Sequence, residues 1–192
     1  MRDVLLAVLA GGEGSRMGRP KGELRVGDVP ILEYLLERWK WDGPTMLVTA
    51  PGREHPPGWE RFDREVRDAA SGEGPLRGIV TALQHCGEAQ RLVVATCDMP
   101  GVTREMFARL LEALEESLGV MMRRADAIEP FPMALRAGAL ELLVGRLARG
   151  ERSLQSVATL PEFKCVNGPD DAGVWTNLNN PSDYEAFQRR PR

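Results

Sequence analysis

The apolar positions of this chain form short continuous runs that alternate with longer amphipathic segments. The continuous runs predict buried strands at Val4–Ala10, Met46–Thr49, Glu65–Arg67, Leu92–Thr96, Val120–Arg123 and Phe131–Leu135. The amphipathic segments predict helices at Ile31–Trp39, Leu76–Cys86, Arg104–Ser117, Gly138–Arg149 and Pro181–Gln188. This alternation is typical of an α/β fold with a mainly parallel sheet between two helical layers. We therefore expect one three-layer domain over residues 1–192.

Composition and charge exclude several classes of protein. The chain is 43% hydrophobic and 28% charged with a net charge of −3, values that argue against a dedicated nucleic-acid-binding protein. Its three cysteines form no Cys-x-x-Cys pair, so neither a disulfide framework nor a zinc site is indicated. The N-terminus lacks a signal-peptide pattern, and the run Val4–Ala10 is too short to span a bilayer. A cytoplasmic location without membrane contact is expected.

The loop that follows the first predicted strand carries the most specific signal. It contains four glycines and three cations, the latter being Arg16, Arg19 and Lys21. Glycines let backbone N–H groups approach phosphates, and the cations can neutralise phosphate charge. The spacing matches neither a P-loop nor a dinucleotide fingerprint. A plain surface loop is the alternative, but the combination favours a phosphate-binding loop.

Two aspartates follow predicted strands. Asp98 comes directly after the strand Leu92–Thr96 and precedes Pro100, so its carboxylate is expected at the strand tip, where Mg²⁺ would take one or two carboxylates. A turn-capping role is the alternative. Asp68 ends another strand and precedes the glycine-rich segment Gly72–Gly78. That segment suits either close approach to a ligand or an ordinary strand–helix connection.

The second half of the chain contributes further polar candidates. Arg152 follows a helix, where it could meet an anion or remain solvated. Asn177 and Asn179 alternate with Leu178 and therefore share one face of an extended segment, which suits a polar heterocycle or a phosphate. Asn180 is expected to cap the last helix. Prolines at positions 130 and 132 indicate that the strand around Phe131 is an edge strand or a bent one.

Together these residues resemble the molybdenum cofactor guanylyltransferases of the nucleotidyltransferase superfamily. The resemblance runs nearly end to end and rests on the segments Leu9–Gly12, Ser15–Gly18 with Lys21, Gly74–Ile79, Cys97–Pro100, Glu129–Pro130 and Asn177–Pro181. It implies a Rossmann-like nucleotidyltransferase fold whose sheet is mixed. Gly11 and the Gly-Pro-Leu-x-Gly step favour the guanylyl branch over the cytidylyl branch.

The resemblance also implies roles for individual residues. Arg16, Lys21 and Asp98 would be catalytic, with Asp98 as the Mg²⁺ ligand, and Asp68 would help to hold the nucleoside. Arg152, Asn177 and Asn179 would serve the acceptor. The backbone positions expected around guanine and ribose are Leu9, Ala10, Gly11 and Gly12. The Asn that several members carry after the second strand is absent here, and Thr49 could replace it through its hydroxyl.

The expected reaction is transfer of GMP from GTP to the terminal phosphate of molybdopterin, with release of pyrophosphate. Two alternatives remain open. One is another nucleotidyltransferase, with a molybdopterin cytidylyl or a sugar or polyol phosphate acceptor. The other is a non-catalytic module that binds GTP or the cofactor for delivery. Beyond these small molecules, transient contact with cofactor-synthesis proteins or apo-molybdoenzymes is expected.

Overall fold

The computed structural model describes residues 1–12, 14, 17–70 and 72–189 of the chain. Within that part, the strands are β1 Val4–Leu9, β2 Arg25–Val26, β3 Val29–Pro30, β4 Thr45–Thr49, β5 Arg64–Arg67, β6 Arg91–Thr96, β7 Gly119–Arg124, β8 Ala127–Arg136 and β9 Phe163–Asn167. The helices are α1 Ile31–Trp39, α2 Pro75–Gln84, α3 Arg104–Leu114, α4 Ala139–Ala148, α5 Leu154–Val157 and α6 Pro181–Gln188. No helix in the described residues combines the length and the apolarity that a bilayer crossing requires.

The order in which the strands are added to the sheet reverses beside the central strand β1. Seven strands lie in the order β5-β4-β1-β6-β8-β7-β9, while β2 and β3 form a separate hairpin. The chain runs outward from β1 to β4 and β5, and then returns to β6 on the other side of β1. Because right-handed crossovers in opposite directions put their helices on opposite faces, α1 and α2 cover different sides of the sheet. Ligands of open α/β sheets bind at such a switch point.

The sheet is mixed, as the family resemblance implied. Strands β5, β4, β1 and β6 are parallel to one another, whereas β8 is antiparallel to both β6 and β7. Residues Val4–Val8 of β1 are fully or almost fully buried because helices cover both faces of this central strand. The α/β fold with a mainly parallel sheet is therefore confirmed.

The structure corrects several sequence-based element predictions. The helices α2, α3 and α4 end before the predicted ends, and β9 and the β2–β3 hairpin were not predicted. Strand β8 is not an edge strand, because it pairs with β6 on one side and β7 on the other. The prolines are accommodated where the β7–β8 pairing shifts register between Val120 and Met122.

The C-terminal segment packs closely against the turn that follows β6. Leu178 is fully buried, and its backbone N–H donates to the carbonyl oxygen of Asp98 at 2.8 Å. A Cβ on Gly101 would lie 2.3 Å from the carbonyl oxygen of Gly173 and 2.8 Å from Cα of Val174. The absence of a side chain at position 101 therefore allows the two backbones to touch.

We expect Gly101→Ala to lower the free energy of unfolding by about 1–3 kcal/mol, since backbone atoms must move to admit the methyl group. Gly138→Ala is the matched control, because its Cβ would meet only Leu118 at an ordinary 3.6 Å. Urea unfolding of both variants measures the difference. Equal stability of the two variants would show that the contact at Gly101 is not tight.

Candidate active site

A cavity of about 560 Å³ lies over the carboxyl ends of the parallel strands, at the switch point between β1 and β6. Its floor is formed by residues that end β1 and β6 or flank the end of β4. One wall is the glycine-rich segment that leads into α2, and the opposite wall comes from β8 and the C-terminal segment. Representative lining residues of these parts are Leu9, Ala50, Asp68, Gly74, Thr96, Asp98, Phe131 and Asn177.

Lys21 joins three distant parts of the chain inside this site. Its Nζ donates to Oδ2 of Asp98 at 2.5 Å and to Oδ1 of Asn179 at 2.6 Å. The side chains of Lys21 and Asp98 are only 17% and 12% exposed, so solvent screens their ion pair weakly. The lysine is thereby held at the cavity wall, where an anion could take up its remaining hydrogen-bonding capacity.

Two short elements hold these partners in place. Lys21 begins a single helical turn, Lys21–Glu23, which is followed by the fully buried Leu24. Asn179 is fixed by its backbone N–H, which donates to Oδ2 of Asp183 at 3.1 Å. The neighbouring Asn180 caps α6 by accepting from the N–H of Asp183 at 2.9 Å, which confirms the predicted cap.

Asp98 retains one free acceptor. Its Oδ2 accepts from Lys21, whereas its Oδ1 is buried and has no hydrogen-bond partner among the described residues. A buried carboxylate oxygen without a donor costs free energy unless a ligand or cation satisfies it. Within the described residues no group of three or more His, Cys, Asp or Glu side chains could hold a metal. A single unsatisfied carboxylate oxygen fits a hard cation only if that cation takes its other oxygen ligands from water and from a bound phosphate.

Asp68 lies at the other end of the cavity with a similar free oxygen. Its Oδ1 is buried without a partner among the described residues, and a Cβ on Gly78 would lie 3.7 Å from its Oδ2. Burial raises the pKa of Asp68 above its ordinary value, although the hydrogen bond to Thr81 and the charge of Arg77 oppose this rise. A carboxylate oxygen with no protein partner suits a ligand that offers hydroxyl or N–H donors.

Cys97 is not a candidate nucleophile, although it lines the cavity. Burial, and secondarily the charge of Asp98, raises the pKa of its thiol well above the ordinary value. The thiol therefore stays protonated at neutral pH.

Most of the residues singled out in the sequence meet at this cavity. Those that line it are Leu9, Gly11, Gly12, Lys21, Asp68, Asp98 and Asn177. Asn179 reaches it through its hydrogen bond to Lys21. Ala10 is buried, with its N–H donated to the carbonyl oxygen of Val48 at 2.8 Å. The predicted catalytic Arg16 lies outside the described residues.

The structure does not bring Arg152 together with the two asparagines. Its guanidinium donates to Oε1 of Glu73 at 3.2 Å, and Glu73 lines the wall of the cavity near α2. Arg152 itself lines a neighbouring groove between α2 and α4. It therefore stands on the α2 side of the cavity, whereas Asn179 stands beside Lys21 and Asp98.

Thr49 does not replace the asparagine that the family places after the second strand. Its Oγ1 donates to Oε1 of Glu65 at 2.6 Å, and Glu65 also contacts Nδ1 of His55. The cavity is lined instead by the neighbours Val48 and Ala50. Sequence reasoning also missed Thr96, for which the only available signal was its position two residues before Asp98.

Comparisons with known proteins point in the same direction as the geometry. A family model described as "MobA-like NTP transferase domain" matches residues 6–162. A relative from Opitutus terrae, named "Probable molybdenum cofactor guanylyltransferase", is 32% identical over 192 residues, covering 96% of this chain and 94% of that protein. Among solved structures, molybdopterin-guanine dinucleotide biosynthesis protein A from Archaeoglobus fulgidus aligns with a TM-score of 0.77 at 24% identity over 96% of both chains. The 2-C-methyl-D-erythritol 4-phosphate cytidylyltransferase of Thermus thermophilus aligns with a TM-score of 0.70 at 19% identity over 98% of both chains.

We expect Asp68→Asn to raise the free energy of unfolding more at neutral than at acidic pH. The folded protein holds the Asp68 proton more tightly than the unfolded chain does, because burial raises the pKa. The destabilising effect of Asp68 is therefore absent below its ordinary pKa near 4 and develops as the pH rises through the raised value.

Urea unfolding at about pH 4 and about pH 7 tests this expectation, with the exposed Asp126→Asn as the control. An increase in the free energy of unfolding that is equal at the two pH values, or larger at the acidic pH, would contradict the expectation.

Proposed function

The chain belongs to the family of MobA-like NTP transferase domains and is a nucleotidyltransferase, and we propose that it transfers GMP from GTP to the terminal phosphate of molybdopterin. The observation that carries this proposal is the meeting of Lys21, Asp98 and Asn179 at the cavity over the carboxyl ends of β1 and β6. A cation and an unsatisfied carboxylate oxygen, side by side at a sheet switch point, suit a polyphosphate substrate.

In the proposed reaction, an oxygen of the acceptor phosphate attacks the α-phosphorus of GTP. The bond between that phosphorus and the bridging oxygen to the β-phosphate breaks, and pyrophosphate leaves with the electron pair. The attacking phosphate is already ionised, so the protein does not need to supply a general base. Catalysis then rests on alignment and on neutralisation of the phosphate charge.

The residues of the cavity divide this work. Lys21 contacts the phosphates, and its hydrogen bond to Asn179 aims the ammonium group into the cavity. The free Oδ1 of Asp98 would hold Mg²⁺. When bound, Mg²⁺ would offset the negative charge of the phosphates. Arg16, which lies in the same loop, adds charge at the phosphates.

The nucleoside and the acceptor occupy opposite parts of the cavity in this proposal. Guanine and ribose lie against the Leu9–Gly12 backbone and Asp68. The acceptor lies toward Asn177 and the β8 wall. Arg152 lies on the α2 side in contact with Glu73, and its role at the acceptor stays a prediction from the family resemblance. The contact of Asn179 with Lys21 supports a further role for Asn179 at the nucleotide phosphates, in addition to the expected role at the acceptor. The product would pass to cofactor-synthesis proteins or apo-molybdoenzymes in the cytoplasm.

The nucleotide preference is tested by thermal shift with GTP, CTP, ATP and UTP, each with Mg²⁺. GTP should give the largest rise in Tm, since a ligand stabilises the fold according to its affinity. Release of pyrophosphate on addition of molybdopterin then tests the transfer.

A larger shift with CTP would assign the chain to a cytidylyl reaction, which the fold shared with a cytidylyltransferase also permits. A shift with GTP but no release of pyrophosphate would indicate a binding module.

We expect Asp98→Asn to reduce turnover about a hundredfold or more. The Tm should fall as well, because Lys21 keeps its charge and loses the charge that balances it. The amide keeps an oxygen for Lys21, and the backbone carbonyl that accepts from Leu178 is unaffected. Asp126 is an exposed turn residue, so Asp126→Asn is the control for removal of a negative charge. A large loss of Tm with activity retained would return Asp98 to a turn-capping role.

A further inference from the structure

Thr96 carries a buried hydroxyl for which the described part of the chain offers no partner. It is the last residue of β6, and its side chain lines the cavity. Its Oγ1 is shielded from solvent, yet no hydrogen-bond partner for it is found among the described residues. Such groups are rare in folded proteins because their desolvation is not repaid. An unsatisfied hydroxyl that lines a substrate cavity therefore indicates a contact made by the ligand.

The threonines of strand β4, which lies on the other side of β1 from β6, behave differently. Oγ1 of Thr49 donates to Oε1 of Glu65 at 2.6 Å. Oγ1 of Thr45 donates to Oδ2 of Asp63 at 2.9 Å. Both hydroxyls are engaged by carboxylates of the protein, so the unsatisfied state of Thr96 is specific to its place in the cavity.

Thr96 lies at the boundary between the two halves of the cavity. In the β1–β6 ladder it is the register partner of Leu9, the last residue of β1 before the loop that contains Lys21. On its other side β6 pairs with β8, and this pairing stops at Val94 and Met133, just before the β8 residues that line the cavity. Asp98 follows two residues later. Thr96 thus lies between the loop that follows β1 and the cavity wall formed by β8.

We propose that Oγ1 of Thr96 donates a hydrogen bond to a non-bridging oxygen of the nucleotide α-phosphate, an inference that rests on the proposed function. The α-phosphate is the group at which the donor and the acceptor meet, so it must lie at this boundary. Phosphate oxygens accept hydrogen bonds and do not donate them, and a hydroxyl supplies the required donor without adding charge. Thr96 is thereby a substrate-binding residue that fixes the reacting phosphorus.

The test compares Thr96→Val, which keeps the shape and removes the hydroxyl, with Thr96→Ser, which keeps the hydroxyl. Thr45→Val is the matched control, because Thr45 begins β4 at the end of the sheet opposite the cavity. Guanosine, GMP and GTP are each titrated in competition with a fluorescent GTP analogue in the presence of Mg²⁺. The Tm of every variant is measured without ligand.

Thr96→Val should lower the affinity for GMP and GTP by about tenfold, as expected for the loss of a hydrogen bond to a charged group. Its affinity for guanosine should not change. Thr96→Ser should retain most of the affinity. The Tm of Thr96→Val should equal or exceed that of the wild type, since the Thr96 hydroxyl has no hydrogen-bond partner among the described residues. Thr45→Val should lower the Tm and leave the affinities unchanged.

Other results would overturn the inference. An equal loss for guanosine would place the hydroxyl at the ribose, and unchanged GMP and GTP affinities in Thr96→Val would remove the contact altogether. A lower Tm with unchanged affinities would make Thr96 a structural residue. If the wild type prefers another nucleotide, the proposed guanylyl reaction is wrong. Titration of the same variants with that nucleoside, its monophosphate and its triphosphate then still decides the role of Thr96. A wild type that binds no nucleotide overturns both.

Discussion

The ion pair between Lys21 and Asp98 is the interaction on which the site depends. It links the loop after β1 to the tip of β6, the two strands that flank the switch point of the sheet. The same ammonium group donates to Asn179, so the C-terminal segment is joined to both. Because the pair is shielded from solvent, breaking it without a replacement charge would be costly. An arriving polyphosphate and cation supply such replacements, one for each partner.

The cavity retains polar atoms that the fold itself does not satisfy. Buried oxygens of Asp68, Thr96 and Asp98 all line it without partners among the described residues. Each lowers stability relative to a paired or apolar group. The other buried side-chain atoms without a partner in the described part of the chain are nitrogens of Trp41, Arg53 and Arg146. The unsatisfied oxygens are therefore confined to this cavity, where a ligand would satisfy them.

The C-terminal helix makes the far wall of the site rigid. The hydroxyl of Tyr184 and Nε2 of Gln188 both donate to the carbonyl oxygen of Arg25 at 2.7 Å, so α6 is docked on the β2–β3 hairpin. Phe187 packs edge-on against Tyr34 of α1. Since Asn179 directly precedes this helix, its position is fixed by contacts that lie well outside the cavity.

The sequence alone determined most of the helices and of the long strands, and it predicts a phosphate-binding loop after β1. Apolar periodicity, glycine positions and Asp98 at a strand end are local signals, and α1 and α6 begin and end where the pattern predicted. Tertiary structure decided what depends on distant partners. The inner position of β8 follows from pairing with β6 and β7, which proline positions do not encode. Lys21 and Asn179 meet across 158 residues. The hydroxyl of Thr49 is engaged by Glu65 of the adjacent strand β5, whereas that of Thr96 finds no partner in the described part of the chain. Local patterns report which face of a strand is buried; only the assembled sheet determines which side chains meet across it.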